Sequence, residues 1–313
     1  MSVILASPSG AGTPRGRDGA AVAAGGVESR RASARPRAVV DNRPVRAGST
    51  ISPAVRCAAL FPHDDLPDPP PGHPYRVIRR PGYVIGTFPG GTFGTVSVTA
   101  VEPDALEGAV EEVRTALAAE GAGRAVWFVP GDSPPTLEAM LACGMAPCNE
   151  PPFEPSFTAM ALVTPPEPGP PDVEARLATS FEEFVEARRI AEDAFDMSEA
   201  DREAFEAKSR AMWEFELDDG AYRTYVALIE GEVIGCAASI GGANATYLAG
   251  GGTRADRRGR GAYRSLVRAR WDTAVERGTP ALTVGAGAMS GPILERLGFE
   301  RIGRIECLLD RFE

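Results

Sequence analysis

The chain has 313 residues, 43% of them hydrophobic, and a formal net charge of −10, so it is long enough for about two domains with cores of their own. Its acidic body argues against a nucleic-acid-binding protein, because the phosphate backbone requires basic surfaces. No apolar run approaches the roughly 18 residues of a membrane span, which predicts a protein without membrane partners.

Cysteine and histidine usage argues against a metal site. The five cysteines are an odd number without CxxC spacing, and only two histidines are available as further ligands. We therefore expect reduced cysteines that pack in the interior, and no metal cofactor. The first ten residues lack the charged start and long apolar core of a secretory signal, which predicts a cytoplasmic protein.

Residues 1–74 are rich in alanine, glycine, arginine, serine and proline and show no hydrophobic period. This composition predicts a disordered N-terminal segment. Its first 56 residues hold nine arginines against three acidic residues, as a transit peptide does, although a loose tail or a spurious upstream start is the simpler interpretation.

A first α+β domain is predicted at 75–163. Short β-rich runs broken by glycine and proline lead into a helix with an apolar stripe at Leu106, Val110, Val113 and Leu117. A buried strand "AVWFVP", a short helix "PPTLEAMLACG" and a last strand "SFTAMALV" complete the unit.

The proline-rich stretch 164–172, "TPPEPGPPD", predicts a stiff linker, and a second domain follows at 173–313. Ser180 and Glu183 form a capping box that predicts the start of a helix. The run "EADREAFEAKSRAMWEF" predicts a second helix, and a hairpin is expected with its turn at Gly231 and Glu232. The strand "ATYLAGGGT", a long helix, the strand "PALTVGAG", a short helix and a closing strand come next.

The two predicted domains end in similar sequences. "LEAMLACGM" in the first corresponds to "LERLGF" in the second. This similarity predicts two tandem copies of one α+β fold, with a glycine-rich loop only in the second copy.

That loop, "DRRGRGAYRSLV" at 256–267, leads from a strand into a helix. A helix N-terminus offers free backbone N–H groups and a favourable dipole to anionic oxygens, and glycine lets a phosphate approach the backbone. Arg258, Arg260 and Arg264 are the arginines expected to face such an anion. The alternative is a solvated basic loop in which the glycines serve only the turn.

Two familiar phosphate loops do not fit. The chain contains no Gly-Lys pair, so it has no P-loop of the form GxxxxGK[ST]. A dinucleotide fingerprint needs a third glycine where Arg264 stands, and it would follow a first strand rather than a hairpin.

The stretch "GGGTRADRRGRGAYRSLVRARW", followed by "ILERLGF", resembles the GNAT superfamily of acyl-CoA-dependent N-acyltransferases. The family motif Arg/Gln-x-x-Gly-x-Gly/Ala falls on Arg258, Gly261 and Tyr263, and the third position departs from it. The resemblance covers about residues 173–313 and implies an α+β fold with a mixed β-sheet flanked by helices. The first domain is similar to a degenerate copy, as in tandem members of the superfamily, and is expected to bind no CoA.

The resemblance implies that acetyl-CoA lies between two splayed parallel strands as co-substrate. The pantetheine arm would pair with the backbone of the strand that ends in glycines, and the pyrophosphate would lie on the amides of the loop. The residues implied in acetyl-CoA binding are Gly251, Gly252, Thr253, Arg258, Gly259, Arg260, Gly261, Ala262, Tyr263 and Arg264.

Acyl transfer to an amine requires a neutral nucleophile and a proton for the departing thiolate. An alkyl amine with a pKa near ~10.4 is neutral in only about one molecule in 10³ at neutral pH, so a general base helps. Many family members protonate the thiolate with a tyrosine at the position that Leu294 occupies here. The candidates to act instead are Tyr247 as acid or base, Glu306 as base, and Ser290.

Each candidate also has a structural interpretation. Tyr247 can be a packed strand aromatic, and Ser290 an N-cap of the short helix. The resemblance places the helices that carry Asp196, Glu199, Glu203 and Glu206 beside the acceptor, although such a charge run is also typical of a solvated face.

The sequence therefore predicts an enzyme that moves an acetyl group from acetyl-CoA to a primary amine of a small molecule. The alternative is a catalytically inactive acyl-CoA-binding sensor or protein-interaction module. Acetyl-CoA and the amine are the expected partners, with no nucleic acid and no membrane, and an oligomer is compatible with the sequence.

Overall fold

The computed structural model describes residues 50–312 except 70, 74, 88–92, 152 and 198. Its helices are α1 (Pro53–Leu60), α2 (Pro62–Asp65), α3 (Leu106–Ala119), α4 (Pro134–Ala142), α5 (Phe181–Ala194), α6 (Glu199–Glu206), α7 (Ser209–Asp219), α8 (Ala262–Glu276) and α9 (Gly291–Arg296). Its strands are β1 (Arg76–Arg80), β2 (Tyr83–Thr87), β3 (Gly94–Val98), β4 (Arg124–Pro130), β5 (Ala146–Pro147), β6 (Ser156–Leu162), β7 (Glu174–Leu177), β8 (Tyr222–Ile229), β9 (Glu232–Gly241), β10 (Thr246–Thr253), β11 (Leu282–Ala286) and β12 (Glu300–Arg311). None of the described helices combines the length and the apolar character needed to cross a membrane.

The described strands form one mixed sheet in the order β1-β2-β3-β4-β12-β6-β11-β10-β9-β8-β7, and β5 pairs with β12 beside this path. In the first half, β1, β2 and β3 are antiparallel, and α3 connects β3 to its parallel neighbour β4. In the second half, β7 to β10 are antiparallel, and α8 connects β10 to its parallel neighbour β11. This repeated succession agrees with two copies of one fold.

The last strand of each half pairs with the other half. β6, from the first half, lies between β11 and β12, with Leu162 opposite Leu282. β12, from the second half, lies between β6 and β4, with Cys307 opposite Phe128. An ion pair of 2.7 Å between Arg114 on α3 and the buried Asp310 on β12 adds a side-chain tie. The two halves therefore exchange their closing strands, and a division into domains at 164–172 stays a prediction.

The predicted disorder of residues 1–74 is wrong for α1 and α2. Ser52 caps α1 by accepting a hydrogen bond of 3.3 Å from the Val55 N–H, and Ala58 and Ala59 pack in one cluster with Ala161 of β6. Small alanines against an alanine-rich strand bury a helix face without a strong hydrophobic period in the sequence. Residues 1–49, the rest of that prediction, lie outside the described residues.

Three local features of the second half were predicted from the sequence: the Ser180 cap, a single second helix and a hairpin turn. The Ser180 cap is confirmed, because its side chain accepts the Glu183 N–H, while the Glu183 carboxylate accepts the Thr179 N–H at 2.8 Å. The predicted second helix is in fact two, α6 and α7. The hairpin turn lies one residue earlier than expected, at Glu230 and Gly231, whose φ values of 51° and 82° fit a tight hairpin turn.

Candidate functional site

The strands β10 and β11 separate shortly after they begin. They pair only at Thr246–Leu282 and Tyr247–Thr283 in the described register. A bulge between Ala249 and Gly252 bends β10 further, and Gly250 takes a positive φ of 54° there. Beyond Tyr247, the edge of β10 that faces β11 is thus left without a ladder partner among the described strands. An extended chain with amide groups could pair with that edge.

The predicted anion loop forms a helix N-terminus. A 3₁₀ turn at Ala255–Arg257 leads into the loop, and Gly259 and Gly261 have φ values of 79° and 85°, a region that glycine adopts without strain. Gly261 is the N-cap of α8 and supplies no side chain to cap it. The N–H groups of the first helical turn therefore remain for an anion.

Most arginines of this loop already have carboxylate partners. Arg260 contacts Asp172 at 3.0 Å and Arg264 contacts Glu167 at 3.9 Å, both within the proline-rich linker. Arg254 and Arg257 pair with Glu232. Arg258 is exposed and forms no ion pair within the described part of the chain. Of the three arginines predicted to face an anion, Arg258 is therefore the one without a carboxylate partner among the described residues.

Tyr263, the departure from the family motif, packs onto a glycine of β10. A Cβ at Gly251 would lie 3.2 Å from the tyrosine ring. The aromatic ring thus occupies space that the missing side chain of Gly251 leaves open, and burial raises the pKa of the Tyr263 phenol. The motif expects a small residue at position 263 on the helix. Here the helix carries a tyrosine at that position, and the small residue at the contact is Gly251 on the strand.

Behind Tyr263, Arg270 is buried, with 1% of its surface exposed. Its Nε donates to the Leu266 carbonyl at 3.0 Å, and its Nη1 donates to the Ala238 carbonyl at 3.2 Å. Ala238 lies opposite Ala249, where the β10 bulge begins. Arg270 therefore ties α8 to the sheet at the bulge.

On the opposite face of the sheet, an apolar cavity opens between α5, α7 and strands β8 to β10. We call it the α5–α7 cavity. Its lining includes Ala249 and Gly250 of the bulge, so it adjoins the separated edge of β10. Its other lining residues are Phe184, Ala187, Arg188, Ala191, Met212, Glu216, Arg223, Thr224, Cys236, Ala237 and Ala238.

Glu216 is the carboxyl group of this cavity. One carboxylate oxygen accepts the Thr224 N–H at 2.9 Å, and the other accepts the Thr224 hydroxyl at 2.7 Å. Burial raises the pKa of Glu216 to about 7, against the smaller opposing effect of these hydrogen bonds. At neutral pH such a group can both hold and release a proton, as a general base must.

Glu216 is not among the residues predicted from the sequence. It lies within "MWEFELDDG", a stretch with several other acidic residues from which the sequence pattern does not distinguish it. One feature of the sequence did indicate its position: Glu216 follows Met212 at the i,i+4 spacing, which places both residues on one face of the helix. By contrast Asp196, Glu199, Glu203 and Glu206 are all exposed.

The structure places the predicted catalytic residues in different surroundings. Tyr247 occupies the last paired position before the strands separate and is 3% exposed. Burial raises its pKa to about 12, against a smaller lowering by a hydrogen bond with the Gly285 backbone. It therefore keeps its proton at neutral pH, which suits a hydrogen-bond donor and not a base.

Ser290 and Glu306 are not brought to the cavity. The Ser290 hydroxyl donates to the Gly287 carbonyl at 3.4 Å and does not cap α9, because the backbone there is already helical. Glu306 lies opposite Ser156 on β6 and forms an ion pair with Arg304. The described residues contain no group of three metal-ligating side chains.

The comparisons with known proteins agree with this geometry. Residues 184–299 match the model of the Acetyltransferase (GNAT) family. A GCN5-related N-acetyltransferase from Kribbella flavida is 20% identical with a TM-score of 0.56, over 75% of this chain and 89% of that chain. A tandem GNAT protein from the clavulanic acid biosynthesis pathway, in a form without AcCoA, is 14% identical with a TM-score of 0.53, over 82% of this chain and 93% of that chain. No curated protein sequence matches the chain.

The predicted resemblance to the GNAT superfamily is therefore confirmed, with residues 184–299 matching the family's acetyltransferase model. The solved structures show the fold, since their sequence identities are low. The fold prediction, a mixed sheet flanked by helices in a tandem arrangement, is confirmed as well.

Proposed function

We propose that this chain transfers an acetyl group from acetyl-CoA to a primary amine of a small molecule. One observation carries the proposal: the open edge of β10, the uncapped start of α8 and the carboxyl of Glu216 surround the same short segment, 249–253. The first two suit an acyl-CoA, and the third suits an amine that must lose a proton.

In this proposal the pyrophosphate lies on the N–H groups at the start of α8, with Arg258 beside it. The pantetheine arm pairs with the free edge of β10 at Gly251, Gly252 and Thr253. Gly259 and the other predicted loop residues shape the turn, and Arg260 and Arg264 hold the linker. These assignments combine the family resemblance with the geometry of the loop.

The amine enters from the α5–α7 cavity. Glu216 accepts a proton from the ammonium group, the neutral nitrogen attacks the thioester carbonyl carbon, and the C–S bond breaks as the C–N bond forms. The departing thiolate takes up the second proton, which the attacking nitrogen loses as the amide forms, and the buried Tyr247 phenol is our candidate to donate a hydrogen bond to the thiolate. The small-amine acceptor and the cytoplasmic location stay predictions.

The first half is expected to bind no acetyl-CoA. The 3₁₀ turn that runs directly into α3 begins with Pro103, which has no N–H, and Asp104, with Glu102 before it. Negative charge at a helix N-terminus competes with a phosphate for the same dipole.

The alternative function, an inactive acyl-CoA-binding sensor, is favoured by one observation. Leu294 occupies the position of the proton-donating tyrosine of many family members, and it is fully buried among apolar side chains. It cannot donate a proton, so the sensor would bind acetyl-CoA and leave it intact.

The test begins with thermal unfolding of the full chain in the presence of acetyl-CoA, ATP or NAD. A ligand that binds only the folded state raises the midpoint with concentration, and we expect this for acetyl-CoA alone. Arg258→Ala should weaken that rise, whereas Arg257→Ala, which removes a guanidinium already paired with Glu232, should change it little.

Release of free thiol with a panel of primary amines then separates the two functions. Turnover supports the acyltransferase. Binding without turnover on any amine supports the sensor, and a folded chain that no concentration of acetyl-CoA stabilises contradicts both.

A further inference from the structure

We propose that the α5–α7 cavity selects an acceptor that carries a carboxylate as well as an amine on an apolar skeleton, that is, an apolar amino acid. Arg188 would bind the carboxylate, and Glu216 would receive the amine. This inference rests on the proposed function and specifies its substrate class.

Arg188 lines the cavity from α5, and its side chain is 7% exposed. Its Nη1 donates to the Glu192 carboxylate at 2.8 Å and to the Arg202 carbonyl at 3.3 Å. Its buried Nε has no hydrogen-bond partner in the described structure. A buried donor without a partner is costly, so a guanidinium with a free N–H in an apolar wall indicates a ligand that accepts a hydrogen bond.

The ion pairs around Arg188 engage its Nη1 and leave its Nε–H to a ligand. Glu192 is shared, because Arg202 also lies 4.0 Å from it, and burial raises the Glu192 pKa. Arg202 is paired in addition with the exposed Asp193 at 2.6 Å. Glu192 and Asp193 together balance the two guanidinium groups, so Arg188 would recognise a ligand carboxylate through a hydrogen bond from its unpartnered Nε–H and not through an excess of positive charge.

Glu216 lies on a different helix of the same cavity, α7. The other cation of the lining, Arg223, donates to the backbone carbonyls of Glu216 and Tyr222. The remaining wall is apolar, with Phe184 and Met212 the largest side chains. A hydrogen-bond donor for an anion and an acceptor for an ammonium group thus face one apolar space, which matches the two ends of an amino acid.

The experiment measures acetylation by the full chain, as thiol release, for matched pairs of acceptors. Leucine and phenylalanine are compared with 3-methylbutylamine and 2-phenylethylamine, which lack only the carboxylate, and with the methyl esters. A series of ω-amino acids varies the distance between the two groups. We expect kcat/KM to be at least about 10-fold higher for the carboxylate-bearing member of a pair, as for a hydrogen bond to a charged group.

Arg188→Met should remove this preference and leave turnover of the carboxylate-free amines within about 3-fold of the parent. Arg189→Met is the matched control, because Arg189 is the next residue of α5, its side chain is 59% exposed, and it should keep the preference. Removing Arg188 leaves the buried Glu192 with Arg202 alone, at 4.0 Å, which can unfold the chain. The double variant Arg188→Met/Glu192→Met removes both partners and answers the same question.

Equal turnover of the amino acids and their carboxylate-free amines by the parent overturns the inference and leaves the acyltransferase standing. An Arg188 variant that lowers kcat/KM equally for the amino acids and for the carboxylate-free amines also overturns the inference. Calorimetric binding of the same pairs, with acetyl-CoA omitted, distinguishes the two hypotheses further. A carboxylate-dependent affinity lost in the Arg188 variant supports the inference even where no acetyl transfer is found, and the proposed function alone then fails.

Discussion

At the residue scale, the carboxyl of Glu216 differs from the other acidic residues of the second half by its surroundings. The chain carries 43 acidic residues, and Glu203, Glu206 and Glu214 on α6 and α7 are exposed. Glu216 is held by two hydrogen bonds from Thr224 inside an apolar cavity, so burial sets its proton affinity. Its chemistry follows from where α7 packs, which residue type alone does not reveal.

If Glu216 is the base, kcat/KM should rise with pH through about 7, because only the ionised carboxylate accepts a proton. Glu216→Gln should lower kcat/KM by about 10²-fold or more and abolish this rise. Glu214→Gln, an exposed neighbour on α7, should leave the profile unchanged. A pH–rate profile shared by the parent and Glu216→Gln would assign the base elsewhere.

The same group makes stability depend on pH. Its pKa in the folded state lies above the usual value for glutamate, so the folded state binds the proton more tightly than the unfolded state. The resulting stabilisation is complete below pH ~4.5 and is lost as the pH rises through about 7. We expect the midpoint of thermal unfolding of the parent to fall relative to that of Glu216→Gln between pH 5 and pH 8. Parallel curves for the two proteins over this range would contradict the shift.

At the element scale, the loop before α8 depends on backbone conformation and on the linker. Gly261 combines a φ of 85° with a close neighbour, since a Cβ there would lie 2.5 Å from the Pro170 side chain. Gly278, just beyond the other end of α8, has a similar φ of 78° but open space around it. Substitution of Gly278 therefore measures the cost of the backbone conformation alone, whereas substitution of Gly261 adds the cost of the steric contact.

Gly278→Ala should lower stability by about 1–2 kcal/mol, the cost of a left-handed conformation for an L-residue. It should leave acetyl-CoA binding unchanged. Gly261→Ala should lower stability further and should also weaken acetyl-CoA binding, because relief of the contact with Pro170 displaces the N–H groups at the start of α8. Chemical denaturation and calorimetric titration measure the two effects. Equal results for both variants would show that the loop is not a binding element.

At the scale of the whole molecule, the exchange of β6 and β12 makes each half depend on the other. Residues 164–313 alone would lack the strand that lies between β11 and β12, and β11 would present an unpaired edge. Exposed sheet edges lead to aggregation. The tandem arrangement thus supplies strands to the second copy even though the first copy lacks the glycine loop.

We expect residues 164–313 expressed alone to give no cooperative unfolding transition. A chain cleaved within the linker, at a protease site inserted between Pro168 and Gly169, should remain one species in gel filtration under native conditions. A stable, cooperatively folding 164–313 fragment would contradict the mutual dependence of the halves.

The sequence by itself determined the class of the fold and the place of the glycine-rich loop before α8. Glycine spacing, helix periodicity and the "LGF" ending are local patterns, and local backbone preferences decide them. Only the tertiary structure decided the exchange of closing strands, the packing of α1, and the identity of the carboxyl group in the cavity. Strand partners and burial depend on contacts between residues far apart in the chain, so Glu216 and Arg188 became recognisable only where α5, α7 and the bulge of β10 enclose one space.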